Sequence, residues 1–241
     1  MTSPDTPPEP KGSRGELRTA PVGDVLLTLP AGCRQLRRDL RLQLRRFRRA
    51  IPQRQQAAAA VSVAQRLAAW PRFQRARCLT AYLAADGEID PFPVIALAWQ
   101  RGVRVHIPKL LADGGMTFIE YYPDSRLVQN RLGIAEPVTG RRCNLAQIDC
   151  MLMPLVGFDR AGHRLGMGGG YYDRFLARTC QRRAAMPLLV GVAHAGQELA
   201  HIDIAAWDVP VDAIVTDRAL IVPGRPDRSN RRREVARSGR H

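Results

Sequence analysis

The sequence predicts a three-layer α/β fold, a mainly parallel sheet flanked by helices and opened by an amphipathic helix pair. Three observations carry this expectation. Short β-rich apolar runs alternate with helical segments, which is the pattern of a parallel sheet covered on both faces. One of those runs, 149–156, leads through a glycine-dense loop into a helix. Ahead of all of them, residues 34–51 place Leu36, Leu40, Leu44, Phe47 and Ile51 at helical spacing beside a stripe of Arg37, Arg41, Arg45 and Arg48.

The second helix of the expected pair spans 53–70, with Ala57, Ala60, Val61, Ala64, Leu67 and Ala68 on one side, and stops before Pro71. The alternating elements then follow as strand 78–84, helix 92–101, strands 103–107, 116–121 and 149–156, helix 171–183, and strands 187–193 and 212–216. At 241 residues with 45% hydrophobic content, the chain suits one folded unit, expected over 31–221. The Pro-, Gly- and Thr-rich residues 1–30 and the arginine-rich 222–241 offer little to bury and are expected to be a disordered extension and a disordered basic tail.

The formal net charge is +15, yet it is concentrated. Residues 34–49 hold eight arginines against Asp39, and 222–241 hold seven against Asp227 and Glu234, so the rest of the chain is nearly balanced. A nucleic-acid-binding protein using this helix and tail is the alternative from another class, and no aromatics interleave the basic runs to support it. The five cysteines, 33, 78, 143, 150 and 180, form no C-x-x-C pair and suggest neither a disulfide framework nor a zinc site; Cys78 and Cys150 read as small buried hydrophobes. With no signal peptide and no run of 18 apolar residues, a cytoplasmic protein that does not enter a membrane is expected.

Ligands of such sheets bind at the carboxyl ends of the strands. That rule selects Asp86, Glu88 and Asp90, then Lys109, the stretch Asp159 to Asp173, His194 and Gln197, and Asp217. Within it, Arg164-Leu165-Gly166-Met167-Gly168-Gly169-Gly170-Tyr171-Tyr172-Asp173 is built to hold phosphate, because its glycines let backbone N–H groups approach an anion and the following helix points its positive end into the loop. The loop has neither the dinucleotide fingerprint nor the Gly-Lys-Ser/Thr ending of a Walker loop, which disfavours a dinucleotide-dependent oxidoreductase. His194 at a strand end reads as structural.

Glu88-Ile89-Asp90 after Tyr82-Leu83, Gly133-Ile134-Ala135-Glu136-Pro137, the Gly157-Phe158-Asp159 lead into the glycine loop, and Trp207-Asp208 before Val211-Asp212 together resemble the 5-formyltetrahydrofolate cyclo-ligase, or methenyltetrahydrofolate synthetase, family over about 34–217. The resemblance implies ATP-dependent conversion of 5-formyltetrahydrofolate to 5,10-methenyltetrahydrofolate with release of ADP and phosphate. It implies that the formyl oxygen is phosphorylated and that N10 then closes the ring. ATP would lie on Arg37, Arg38, Asp39, Leu40 and Arg41 and on Arg164, Leu165, Gly166, Met167, Gly168, Gly169, Gly170, Tyr171 and Tyr172. The folate would meet Leu83, Glu88, Met167, Gly168, Gly169, Gly170 and Tyr171. Arg164, Tyr171 and Tyr172 would act in catalysis, and Asp173 and Asp208 would hold Mg²⁺.

Each assignment has a plainer counterpart. Asp173 also suits the first turn of its helix by dipole attraction, one of the two tyrosines could belong to the core, and Arg45, Arg46, Arg48 and Arg49 read as a solvated helix face. Asp90 before Pro91 is the more natural cap for helix 92–101, which leaves Glu88 for ligand. Many relatives have Lys where Arg37 stands, and some have Lys where Gly169 stands, so neutralisation of phosphate would rest on Arg37, Arg41, Arg164 and magnesium. A monomer acting on small molecules is expected.

Overall fold

A computed structural model of the chain describes residues 31–180, 186–205 and 208–224. The expectations for 1–30, for residues 225–241 of the basic tail, for the end of helix 171–183 and for Trp207 lie outside them. Five α-helices are described: α1 (Ala31–Arg49), α2 (Gln53–Ala68), α3 (Pro71–Gln74), α4 (Phe92–Gln100) and α5 (Tyr171–Cys180). The strands are β1 (Cys78–Thr80), β2 (Arg104–Leu110), β3 (Met116–Glu120), β4 (Leu127–Gln129), β5 (Ala135–Pro137), β6 (Arg142–Cys143), β7 (Cys150–Pro154), β8 (Gly157–Phe158), β9 (Arg164–Leu165), β10 (Leu188–Ala193), β11 (Ala213–Thr216) and β12 (Leu220–Ile221).

Eight strands form one sheet in the order β12-β11-β10-β7-β1-β2-β3-β6, in which β11, β10, β7, β1 and β2 run parallel, β12 and β3 run against them, and β6 pairs antiparallel with β3 at the edge. Short β4 and β5 pair with each other, and β8 pairs with β9. The mainly parallel three-layer expectation holds. Cys150 to Met153 are all buried because helices cover both faces. Cys150, Leu152, Val190 and Val192 pack under α2, α3 and α4, whereas Met151, Met153, Leu189 and Ile214 pack with Leu176 of α5.

Leu40 and Leu44 of α1 pack on Val156, Leu165, Leu199 and Ile202, while α2 contributes to the cluster under the sheet face. One expectation about these helices needs correction: the buried side of α2 is rotated from the expected stripe. Ala59, Ala60, Val63 and Leu67 are buried, and Val61 is 49% exposed. An alanine-rich helix carries too weak an apolar contrast for spacing alone to choose the face. The glycine loop's entry was read as one long strand over 149–156; in the structure β7 ends at Pro154, and the β8–β9 ribbon carries the chain to the loop.

The sheet reverses its direction of growth between β1 and β7: β2 follows β1 on one side, and β7, β10 and β11 accumulate on the other. The segments leaving the carboxyl ends of β1 and β7 therefore flank a crevice at the switch point.

The face assignment of α2 is testable by thermal or urea unfolding. Leu67→Ala removes a fully buried side chain and is expected to cost about 2–5 kcal/mol. Val61→Ala, at an exposed position of the same helix, is expected to stay within about 0.5 kcal/mol. Equal losses at the two positions would contradict the packing described.

Candidate active site

The crevice is held by α1. Arg48, entirely buried, donates from Nε to the Asp86 carbonyl at 2.7 Å, from Nη2 to Asp86 Oδ2 at 2.8 Å, and from Nη1 to the Leu155 carbonyl at 3.3 Å. One guanidinium thus ties the segment after β1 to the end of β7. Nη2 also lies 3.5 Å from Glu88 Oε1 and 3.6 Å from Met167 Sδ in the glycine loop. Arg45 reaches Asp86 Oδ2 at 2.7 Å and Arg49 reaches Oδ1, so three arginines converge on one carboxylate. Burial opposes ionisation of Asp86, but the hydrogen bonds from Arg45, Arg49 and Arg48 outweigh it and hold its carboxyl down at about 2.

Asp86 and Gly87 occupy the tip of a tight turn at φ of 54° and 75°, closed by Glu88 N–H donating to the Ala85 carbonyl at 3.0 Å. Both central residues being left-handed defines a type I′ turn, for which Asp-Gly is the favoured pair. A Cβ on residue 87 would lie 2.8 Å from the Arg48 carbonyl oxygen, so glycine is required for close approach as well. The turn presents Glu88, whose Oε2 accepts the Ala85 N–H at 3.1 Å. Burial raises its pKa, partly offset by the Arg48 charge. Asp90 accepts the Phe92 N–H at the start of α4, so the cap expected there is filled by Asp90 and Glu88 is left facing the crevice. Leu83 is half-buried against the core.

The glycine loop follows β9. Among the described residues, the N–H groups of Met167, Gly168, Gly169 and Gly170 have no hydrogen-bond partner. Gly168 and Gly170 take φ of 101° and 62°, which turns successive amides outward just ahead of α5. Arg41 donates from Nε to the Gly166 carbonyl at 2.8 Å and lies against Gly168. Arg37, one turn earlier, pairs with Asp208 at 2.6 Å and also donates to the Asp203 carbonyl. Arg37 and Arg41 therefore do share one face directed at the loop, and burial first, then the Arg37 charge, lower the pKa of Arg41. Arg38 and Asp39 do not join them: both are exposed, and Asp39 accepts the Gln35 amide on the solvent side. Leu40 packs beneath the helix.

Arg164 is buried, with Nη2 on Asp173 Oδ1 and Nη1 on the Val209 carbonyl, so it links the start of α5 to the segment containing Asp208. Asp173 and Asp208 each have one oxygen held by an arginine. Among the described residues, Asp173 Oδ2 and Asp208 Oδ1 have no hydrogen bond. Two carboxylate oxygens of this kind suit Mg²⁺, which takes few protein ligands and completes its shell with water and phosphate oxygens. Tyr171 accepts from Arg131 at 3.3 Å and lies under the Arg174 guanidinium at 5.0 Å. The Tyr172 hydroxyl is inaccessible to solvent and has no partner among the described residues; burial and the nearby Glu88 charge both raise its pKa.

Several polar residues selected by the strand-end rule hold loops. Lys109 donates to the Pro137 and Val138 carbonyls, Asp159 accepts from the Ala161, His163 and Ile202 N–H groups, and Asp217 accepts from Ala195 N–H. Buried His194 donates to the Gly87 carbonyl at 3.2 Å, and Gln197 binds the Leu155 and Val156 carbonyls. The reading of His194 as structural stands. The reading of Arg48 as part of a solvated face does not, since it is entirely buried, and Arg45 is half-buried against Asp86; Arg49 is exposed as expected although it also pairs with Asp86, and Arg46 is exposed too. Spacing did hold one signal, since Arg48 falls a turn from Leu44 and two turns from Arg41, on the side that meets the sheet.

The arginine cluster has a measurable pH signature. The Asp86 carboxyl lies at about 2 in the folded protein, against about 3.9 for an unfolded aspartate. Its stabilisation is therefore complete above about pH 4 and lost as pH falls toward 2. Asp86→Asn leaves Arg48 buried with a weakened counter-charge and is expected to cost about 3 kcal/mol at neutral pH. In urea titrations at successive pH values, the difference from the parent chain should shrink as pH falls through that window. A constant difference would contradict it.

Residues 34–217 match the 5-formyltetrahydrofolate cyclo-ligase family. The chain is 39% identical over 177 residues to the 5-formyltetrahydrofolate cyclo-ligase of Escherichia coli strain K12, covering 72% of this chain and 96% of that one. It is 34% identical over 181 residues to the enzyme of the same name from Haemophilus influenzae, covering 73% and 95%. Among solved structures, it is similar to the 5,10-methenyltetrahydrofolate synthetase of Aquifex aeolicus, with a TM-score of 0.68 and 29% identity over 79% of this chain and 95% of that one. The synthetase of Mycoplasma pneumoniae shares the fold, with a TM-score of 0.60. The chain thus belongs to the 5-formyltetrahydrofolate cyclo-ligase family, ligases that use ATP to convert 5-formyltetrahydrofolate to 5,10-methenyltetrahydrofolate.

Proposed function

We propose that in this enzyme the ATP phosphates lie on the unpartnered N–H groups of Met167 to Gly170, with Arg37 and Arg41 as cations beside them, and that the pterin lies between Glu88, Leu83 and the tyrosine pair. The observation that carries the reading is the Tyr172 hydroxyl, buried without a partner beside Glu88 and directly after those amides. An orphaned buried hydroxyl costs free energy unless a ligand satisfies it.

The Glu88 carboxylate is suited to the paired N–H donors of an aminopyrimidinone ring. Its second oxygen is held by Ala85 N–H and its charge is balanced by Arg48, so it accepts from the ligand without moving. Met167, 48% exposed, supplies an apolar edge between the two substrates. The formyl oxygen attacks the γ-phosphorus and ADP leaves. N10 then adds to the activated formyl carbon, gives up its proton, and phosphate departs as the ring becomes the methenyl cation. Phosphoryl transfer of this kind depends on positioning and on charge neutralisation. The loop amides and Arg37 and Arg41 neutralise the transferred phosphoryl group, Tyr172 donates to an oxygen at the reacting centre, and Arg164 positions Asp173 and the Asp208 segment. Mg²⁺, held by Asp173 and Asp208, would neutralise phosphate oxygens. The enzyme acts as a monomer in the cytoplasm on small-molecule substrates.

Purified enzyme with 5-formyltetrahydrofolate and MgATP is expected to develop the absorbance of the methenyl product, and folded enzyme giving none would defeat the reading. Glu88→Gln is expected to raise KM for the folate at least tenfold with KM for ATP little changed. Asp173→Asn is expected to raise the Mg²⁺ concentration needed for half-maximal rate or abolish turnover in a folded protein. Unchanged magnesium dependence would remove Asp173 from the metal shell.

A further inference from the structure

Three side chains far apart in sequence meet in the core on the α5 side of the sheet. Cys78 Sγ of β1 is 3.6 Å from His106 Nδ1 of β2 and 3.7 Å from Cys143 Sγ of β6, and the three atoms all lie within 4.8 Å of one another. All three residues are buried. The cysteines were read from sequence as carrying no zinc site because they show no local C-x-x-C spacing; the sheet assembles the cluster instead, bringing β6 back to a strand three places away in the sheet order.

We infer that Cys78, His106 and Cys143 form a zinc-binding site. A tetrahedral zinc, with Zn–S of about 2.3 Å and Zn–N of about 2.0–2.1 Å, sets sulfur atoms about 3.8 Å apart and sulfur and nitrogen about 3.6 Å apart. Cys78 Sγ already stands at these separations from Cys143 Sγ and His106 Nδ1, and the third pair lies within 4.8 Å. The charge also suits the place. Two thiolates and a neutral imidazole exactly cancel a divalent cation, so the occupied site adds no net charge to an apolar core that includes Met116, Phe118 and Leu145. A monovalent soft ion such as copper(I) would leave one negative charge there. Thr80, in register with His106 and two residues beyond Cys78, has a buried hydroxyl without a partner among the described residues. It offers a polar neighbour for water at the fourth corner.

The site is separate from the proposed substrate crevice, so its test does not depend on turnover. Untagged full-length protein, purified from cells grown with zinc, is analysed by elemental mass spectrometry. About one zinc per chain is expected for the parent and for Cys150→Ser, whose thiol is buried outside the cluster, and less than a tenth of that for Cys143→Ser. To guard against misfolding of the variant, the parent itself is unfolded, stripped with chelator and refolded with Co²⁺ alone. Intense thiolate-to-cobalt absorption supports the site. Parent protein that retains no zinc and develops no such absorption overturns it, as does Cys143→Ser that retains zinc like the parent.

Discussion

The placement of the site depends on one buried guanidinium. Arg48 spans the point where the sheet reverses direction, donating to the Asp86 carbonyl and carboxylate on one side and to the Leu155 carbonyl on the other. A lysine could not replace it: its three donors radiate from one nitrogen, whereas the guanidinium spreads Nε, Nη1 and Nη2 over a planar fork and meets the three acceptors separately. Buried ion pairs of this kind contribute little net stability, since desolvation offsets much of the attraction. Their effect here is geometric. Arg48 fixes α1 across the carboxyl end of the sheet, and the same helix then delivers Arg41 and Arg37 to the glycine loop two and three turns earlier.

A second arginine repeats the arrangement on the far side of the loop. Arg164 joins Asp173 to the Val209 carbonyl, and Arg37 joins Asp208 to α1. The proposed magnesium carboxylates are therefore held by cations that also hold the fold. Each carboxylate is pre-positioned and partly neutralised, and one oxygen of each remains for ligand. Such a shell favours a weakly held metal that arrives with its nucleotide over a permanently bound ion.

The parallel sheet, the glycine loop and its flanking residues were legible because each rests on local pattern: apolar runs of strand length, glycines before a helix, an acid after a strand. Three features were not. The burial of Arg48 depends on which side of α1 meets the sheet, and an arginine-rich helix presents arginines on every side. The face of α2 was misjudged between Val61 and Val63 because alanines surround both. The meeting of Cys78, His106 and Cys143 required knowing that β6 returns across the sheet, a tertiary fact that no short-range spacing records.

Gly169 shows how a loop glycine sets the position of its neighbours. A Cβ at this position would meet the Tyr171 ring at 2.8 Å. With glycine, the ring lies against the loop, beneath the Arg174 guanidinium and within reach of Arg131. Two arginines are thus gathered around Tyr171 at the rim of the loop. A lysine at residue 169 would displace the aromatic ring that gathers them. Tyr171, Arg131 and Arg174 have to be understood together with the glycine that makes room for them.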